Sequence, residues 1–174
     1  MELLVVVDMQ KDFIDGALGT KEAQAIVKEV IKEIKGFSGK VVYTMDTHGE
    51  HYLDTQEGRN LPVIHCVKDS DGWQLEKEIQ AIAKENKALI FEKPTFGSME
   101  LAQYVKQLSD KEKLTKVRVI GLCTDICVIS NAMLMKAAVP ELEIEVKESC
   151  CAGVTKESHD NALEALKMCQ IKVV

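Results

Sequence analysis

The chain reads as an α/β protein, a three-layer α/β/α sandwich around a doubly wound, mainly parallel six-stranded sheet. Three observations predict it. Apolar runs rich in β-branched residues alternate with segments of helical periodicity from one end of the chain to the other. The runs are continuous, the pattern of strands covered on both faces and joined by right-handed crossovers. Polar residues suited to chemistry stand directly after several runs, and open parallel sheets collect ligands at the carboxyl ends of their strands.

In order, Glu2 to Asp8 reads as strand, Lys21 to Lys35 as helix, Lys40 to Met45 as strand, Gln74 to Glu85 as helix and Ala88 to Glu92 as strand. The alternation continues with helix from Ser98 to Ser109, strand from Lys116 to Gly121, helix from Asp125 to Ala138, strand from Leu142 to Lys147, helix from Lys156 to Met168 and strand from Ile171 to Val174. Helix-spaced Leu, Ile and Met side chains, and Cys169, are expected in the core. The 174 residues suit a single domain spanning 1–174, since no repeat, low-complexity tract or Pro/Gly/Ser-rich linker divides them.

The formal net charge is -6, with acidic and basic residues interleaved along the helices, so the sequence offers no basic stripe for nucleic acid. No apolar run approaches the roughly 20 residues needed to cross a bilayer, and Met1-Glu-Leu-Leu lacks the basic start of a leader, so a cytoplasmic protein is expected. The six cysteines are read as thiols, because a chain this rich in core-forming residues needs no disulfide staples.

Candidate chemistry gathers at the strand ends. Asp8 closes Leu3-Leu-Val-Val-Val7, Lys93 follows Ala88-Leu-Ile-Phe-Glu92, and Cys127 follows Val117-Arg-Val-Ile-Gly-Leu-Cys-Thr-Asp-Ile. With Thr124 as N-cap, Cys127 falls in the first turn of a helix, where free N–H groups and the helix dipole favour a thiolate and could form an oxyanion hole. Asp8 would take the thiol proton and Lys93 would stabilise the charge. The plainer alternatives are a small buried hydrophobe at Cys127 and a structural ion pair between Asp8 and Lys93.

Asp46 to Trp73 breaks the alternation, is longer than an ordinary connection and holds His48, His51 and His65 with Asp54 and Glu57. Asp46-Thr-His48 places two ligand types on one side of a strand end, and His65 could complete a set suited to zinc, iron or manganese. Polar loop residues bonded to backbone and water are the other reading. Trp73 is expected to anchor the following helix by packing, His159 to be a solvated or capping residue, and Cys150 and Cys151 to be small loop residues.

Together, Val-Val-Val-Asp8-Met-Gln-Lys-Asp-Phe13, Asp46-Thr-His48, His65-Cys, Glu-Lys93-Pro-Thr-Phe96 and Gly-Leu-Cys-Thr-Asp-Ile-Cys127-Val resemble the isochorismatase-like cysteine hydrolases, and among them the nicotinamidases. The motifs occur in family order over nearly the whole chain. The resemblance implies a catalytic triad of Asp8, Lys93 and Cys127, a cis peptide between Leu122 and Cys123, and oxyanion donors from the N–H groups of Cys123 and Cys127. It implies a divalent metal, zinc with iron or manganese as alternatives, on Asp46, His48 and His65. The fourth ligand varies among relatives; Glu57 fits better than His51. Phe13 and Phe96 would supply the aromatic wall for a small amide such as nicotinamide, and Pro62 replaces an aromatic residue that some nicotinamidases carry there. Relatives often assemble as oligomers, and the same is expected here. Metal-free relatives acting on N-carbamoyl compounds form the nearest alternative. A thiol redox sensor, prompted by Cys123-x-x-x-Cys127 and the Cys150-Cys151 pair, is the alternative outside enzymes.

Overall fold

The computed structural model describes residues 1–174. Six parallel strands form one sheet: β1 (Glu2–Val7), β2 (Lys40–Asp46), β3 (Ile90–Lys93), β4 (Lys116–Leu122), β5 (Glu143–Ala152) and β6 (Lys172–Val173), in the spatial order β3-β2-β1-β4-β5-β6. The order reverses between β1 and β4, which opens a crevice beyond their carboxyl ends. The helices are α1 (Lys11–Ile14), α2 (Lys21–Gly36), α3 (Gln56–Asn60), α4 (Lys77–Glu85), α5 (Met99–Glu112), α6 (Ile129–Ala138) and α7 (Lys156–Met168).

Alternate strand residues point to opposite faces, so each apolar strand serves two cores. Leu3, Val5 and Val7 of β1 pack with Leu101 and Val105 of α5, Ala132 and Met135 of α6 and Leu163 and Leu166 of α7. Leu4 and Val6 pack on the other face with Val30 and Ile34 of α2 and Ile79 and Ala83 of α4. Three layers result. Each fully buried Val or Leu contributes about 1.5 to 3 kcal/mol relative to leaving it in water, so β1 is the best-anchored strand of the sheet.

Several boundaries differ from the sequence reading. β5 runs to Ala152 instead of stopping at Lys147, with a register irregularity opposite Val119 to Gly121 that absorbs the polar Lys147-Glu148-Ser149 stretch. Cys150 and Cys151 are therefore buried strand residues facing opposite cores, not loop residues. α4 starts at Lys77, because the Glu76 carboxylate accepts from the Glu78 and Ile79 N–H groups and acts as its cap. Ser98 is likewise the cap of α5, accepting from Leu101 N–H, and not its first residue. Cys169 is exposed just past the end of α7, and Met168 and Met99 are 84% and 61% exposed, so these are not core residues. No helix is long and apolar enough to cross a membrane.

Gly121 shows how closely β4 approaches β1. Its φ is +116°, and a Cβ there would lie 2.1 Å from the Val7 carbonyl oxygen, so only glycine fits.

Candidate active site

The crevice is built from strand ends. Asp8, one residue past β1, has φ 46°, a left-handed conformation that costs a non-glycine residue on the order of 1 kcal/mol. Its N–H is held by the Thr44 carbonyl at 3.2 Å, and its Oδ1 accepts from the Thr44 hydroxyl at 2.6 Å. Lys93, the last residue of β3, reaches Asp8 Oδ2 at 2.7 Å, Asp46 Oδ1 at 3.5 Å, the Thr95 carbonyl at 3.0 Å and Cys127 Sγ at 3.5 Å. Asp8 is 0%, Lys93 1% and Cys127 6% exposed. Three side chains from distant parts of the chain thus meet away from water.

That environment sets the charges. Burial raises Asp8 above the usual carboxylate range, against the pull of Lys93. Burial would lower Lys93, but Asp8, Cys127 and Asp46 outweigh it and keep the ammonium charged. Burial, followed by the nearby Asp8, pushes the Cys127 thiol well up. This burial favours the thiol, against the thiolate that a helix start alone would favour.

The turn that carries Cys127 also differs from a capped α-helix. The Leu122–Cys123 peptide bond is cis, and Thr124–Val128 forms a wide π-type turn, with Val128 N–H donating to the Cys123 carbonyl at 3.0 Å, before α6 begins at Ile129. Thr124 is not the N-cap. Its hydroxyl is turned away to His159 Nδ1 at 2.7 Å, which gives His159 a buttressing contact in place of the solvated or capping role expected. Asn131, fully buried, donates to the Cys127 carbonyl at 2.8 Å and the Phe96 carbonyl at 3.2 Å, and accepts from Ser98 N–H at 2.9 Å.

Beside this group lies a second cluster. One ligand atom each from Asp46, His48, Glu57 and His65 falls within 4.8 Å of all the others. Asp46 Oδ2 is 2.9 Å from His48 Nε2 and 3.4 Å from His65 Nε2, while Glu57 Oε1 is 3.6 and 3.8 Å from the same two nitrogens. His65 Nδ1 lies 2.7 Å from the Val63 carbonyl; donating there leaves the Nε2 lone pair free to face the other three. Burial opposes ionisation of Asp46, yet His48, His65 and Lys93 hold it well below the usual range; burial and Asp46 raise Glu57. Two carboxylates and two imidazoles converging in a small buried space fit a divalent cation of the zinc, iron or manganese type. His51 is 90% exposed beside Asp54 and stands outside the cluster.

The long segment is shaped to bring this about. His48 N–H donates to the Cys66 carbonyl and Lys68 N–H to the His48 carbonyl, both at 2.9 Å, so the returning chain runs beside the extension of β2 and sets His65 next to Asp46. Between them lie a 3₁₀ turn (Tyr52–Asp54) and α3, neither visible as periodicity because each is shorter than two helical turns. Gly58 is needed here: a Cβ would lie 2.1 Å from the Tyr52 carbonyl. Four ties are not legible in the sequence. Gln10, fully buried, accepts from Asp46 N–H at 2.7 Å and donates to the Asp46 and Trp73 carbonyls at 2.8 Å. Asp12 accepts from Cys66 N–H at 2.7 Å, and Trp73, besides packing, donates to the Thr47 hydroxyl at 2.9 Å. The fourth is Tyr52, buried against both imidazoles. The clue for Gln10 and Asp12 is that such polar residues follow a buried strand at alternate positions.

Both clusters open on one cavity of about 310 Å³, lined by Phe13, Leu18, Leu61, Phe96, Ile126, Val154, Thr20 and Cys123 together with Cys127, Asp46, Glu57 and His65. Its size suits one small ring. No lysine or arginine lines it.

The isochorismatase domain model matches residues 2–174. A nicotinamidase/pyrazinamidase of Mycobacterium tuberculosis is 24% identical over 187 residues, covering 100% of this chain and 98% of that one. The crystal structure of a pyrazinamidase/nicotinamidase from Streptococcus mutans superposes with a TM-score of 0.85 over 100% of both chains at 24% identity. That of a Pyrococcus horikoshii pyrazinamidase in complex with zinc gives 0.78, at 28% identity over 99% of this chain and 98% of that one.

Proposed function

The chain belongs to the isochorismatase family, and from that premise we propose that it is a cysteine amidohydrolase converting a small aromatic carboxamide, nicotinamide foremost, to its acid and ammonia. The observation that carries this reading is the contact of Lys93 with both Asp8 and Cys127, directly behind the cavity that Cys127, Asp46, Glu57 and His65 line.

The roles follow from the charges. As the Cys127 sulfur bonds to the amide carbon, its proton passes to Asp8, whose raised pKa makes it a competent base. Lys93 stays charged and offsets the negative charge that moves between Asp8 and the sulfur. The N–H groups of Cys123 and Cys127 are the candidate donors to the oxyanion, and one such donor is worth about 3 to 4 kcal/mol in comparable sites. Asp8 hands the proton to the departing nitrogen, ammonia leaves, and the acyl group remains on sulfur as a thioester. Water, losing a proton to Asp8, then attacks the thioester carbon; the acid departs and the thiol is restored.

Asp46, His48, Glu57 and His65 would hold the metal, and zinc is favoured by the zinc complex of the Pyrococcus pyrazinamidase. When bound, the ion supplies a Lewis acid for the lone pair of a ring nitrogen, which orients the carboxamide toward Cys127. Phe13 and Phe96 flank the ring. N-carbamoyl acids carry a carboxylate, for which the cavity lining presents no cationic side chain. A redox role fits poorly: Cys150 and Cys151 face opposite sides of the sheet, and burial pushes the Cys123 thiol up to about 12.

The test is ammonia release from nicotinamide, pyrazinamide, benzamide and an N-carbamoyl amino acid by zinc-loaded protein. Turnover of the two nitrogen heterocycles well above benzamide is the expected pattern. Preference for the N-carbamoyl acid would overturn the substrate assignment.

A further inference from the structure

We infer that Tyr52 is a positioning residue that sets metal affinity and the shape of the ring pocket at once, through its ring on one side and its hydroxyl on the other. The inference rests on the metal reading above. Tyr52 is 1% exposed and completes a triangle of three rings: its centroid is 4.6 Å from that of His48 and 4.9 Å from that of His65, which are 4.8 Å from each other. The interplanar angles of 56° and 76° set the imidazoles obliquely to steeply against the phenol ring, which packs on both of them.

The other end of the side chain closes a loop. Tyr52 Oη donates to the Leu61 carbonyl at 2.8 Å, and the segment so closed contains α3, which carries Glu57. The Tyr52 carbonyl accepts from the Thr55 hydroxyl at 2.6 Å, and Leu61 N–H donates to the Glu57 carbonyl at 2.8 Å. Glu57 faces the histidines, and Leu61 lines the cavity. The ring therefore fixes two imidazole donors, and the hydroxyl fixes the helix that brings the carboxylate and one apolar wall. Groups that orient ligands in this way typically change metal affinity by about 10- to 100-fold.

Two variants separate the parts. Tyr52→Leu removes the ring; its zinc affinity, measured by competition with a chromogenic chelator, is expected to fall by about 10- to 100-fold. At saturating zinc its kcat for nicotinamide should return toward the wild-type value. Tyr52→Phe keeps the ring and removes only the tether, so the protein should fold and melt much like wild type. It is expected to raise KM severalfold at saturating zinc with kcat little changed, and to weaken zinc binding less than Tyr52→Leu does. If Tyr52→Phe matches wild type in both zinc affinity and KM, the tether assignment is overturned, whether or not Tyr52→Leu folds; a folded Tyr52→Leu with wild-type zinc affinity overturns the ring assignment. Wild-type protein that binds no zinc, iron or manganese is a separate outcome, and it removes the metal reading together with this inference.

Discussion

The two walls of the cavity are made in different ways. Behind one wall, where Cys127 faces the cavity, Asp8 and Lys93 stand at or just past the ends of parallel strands and are held by the sheet itself, with the Thr44 carbonyl and hydroxyl fixing Asp8 in its left-handed turn. On the other, Glu57 and His65 sit in a segment without strands, which one isolated backbone pairing at His48 and the side chains of Asp12 and Tyr52 hold in place, with Gln10 tying its two ends at Asp46 and Trp73. The sheet gives rigidity through many backbone bonds at once. The loop has only a short backbone pairing and otherwise depends on a few side chains, each of which can be lost alone, so its half of the site should be more adjustable than the strand half.

If the walls are separable in this sense, the largest effect comes from Asp8→Asn. Loss of the proton acceptor should lower kcat/KM for nicotinamide by about 10³-fold, while zinc affinity stays within about twofold, as measured by steady-state kinetics and chelator competition. A parallel loss of zinc binding would break the distinction.

Next is the scaffold under the strand wall. Gly121→Ala places a methyl group against the Val7 carbonyl in a conformation that favours glycine, and should destabilise by about 2 to 4 kcal/mol. In a protein of this size that lowers Tm by roughly 5 to 15 °C, a shift calorimetry reads directly. An unchanged Tm would mean that β1 and β4 tolerate separation there, contrary to a rigid strand wall.

Glu57→Gln probes the loop wall. Zinc affinity should fall by about 10- to 100-fold, and excess zinc should restore most of kcat. Activity that excess zinc fails to restore would give Glu57 a part in the chemistry beyond metal binding.

The smallest effect belongs to the frame common to both walls. Glu33 on α2 binds Arg118 of β4 and Lys147 of β5 through its two carboxylate oxygens. Burial opposes its ionisation, but Lys147 and Arg118 hold its pKa below the ordinary 4.5. A group depressed on folding contributes stability that is present above its unfolded pKa and is lost as pH falls through the folded value. Wild type should therefore lose about 1 kcal/mol more than Glu33→Gln when the pH is lowered from 6 toward 3, as read by urea denaturation. Equal acid sensitivity of the two would show that this network contributes nothing to holding α2 on the sheet.

What could be read from the sequence divides along the same line as the two walls. β1, β2 and β4 are continuous apolar runs, so their course and the residues that close them were visible, as was Lys93 at the end of β3. Parallel order then places those ends together without further information. The full length of β5 is hidden because Lys147, Glu148 and Ser149 break its apolar pattern, and a local register irregularity accommodates that interruption within the strand. α1, α3 and the 3₁₀ turn at Tyr52 are too short to show a period. The approach of Glu57, His48 and His65 depends on contacts between residues far apart in the chain, and Tyr52 looks like any buried aromatic residue until its neighbours are known. The contact of His159 is hidden for the same reason, since its partner Thr124 is 35 residues away. A helix start argues for a thiolate at Cys127, whereas its burial beside Asp8, which pushes the thiol up, depends on packing that the sequence does not display.

The central claim is that the Cys127 sulfur is the group that attacks the amide. Ammonia release from nicotinamide by wild type and Cys127→Ala at equal zinc loading tests it most directly, with the zinc content of both proteins measured. The variant should bind zinc normally and lose at least about 10⁴-fold in kcat, while wild type quenched during turnover carries a nicotinoyl group on Cys127 by mass spectrometry. A Cys127→Ala protein that keeps its activity within tenfold of wild type would contradict the account.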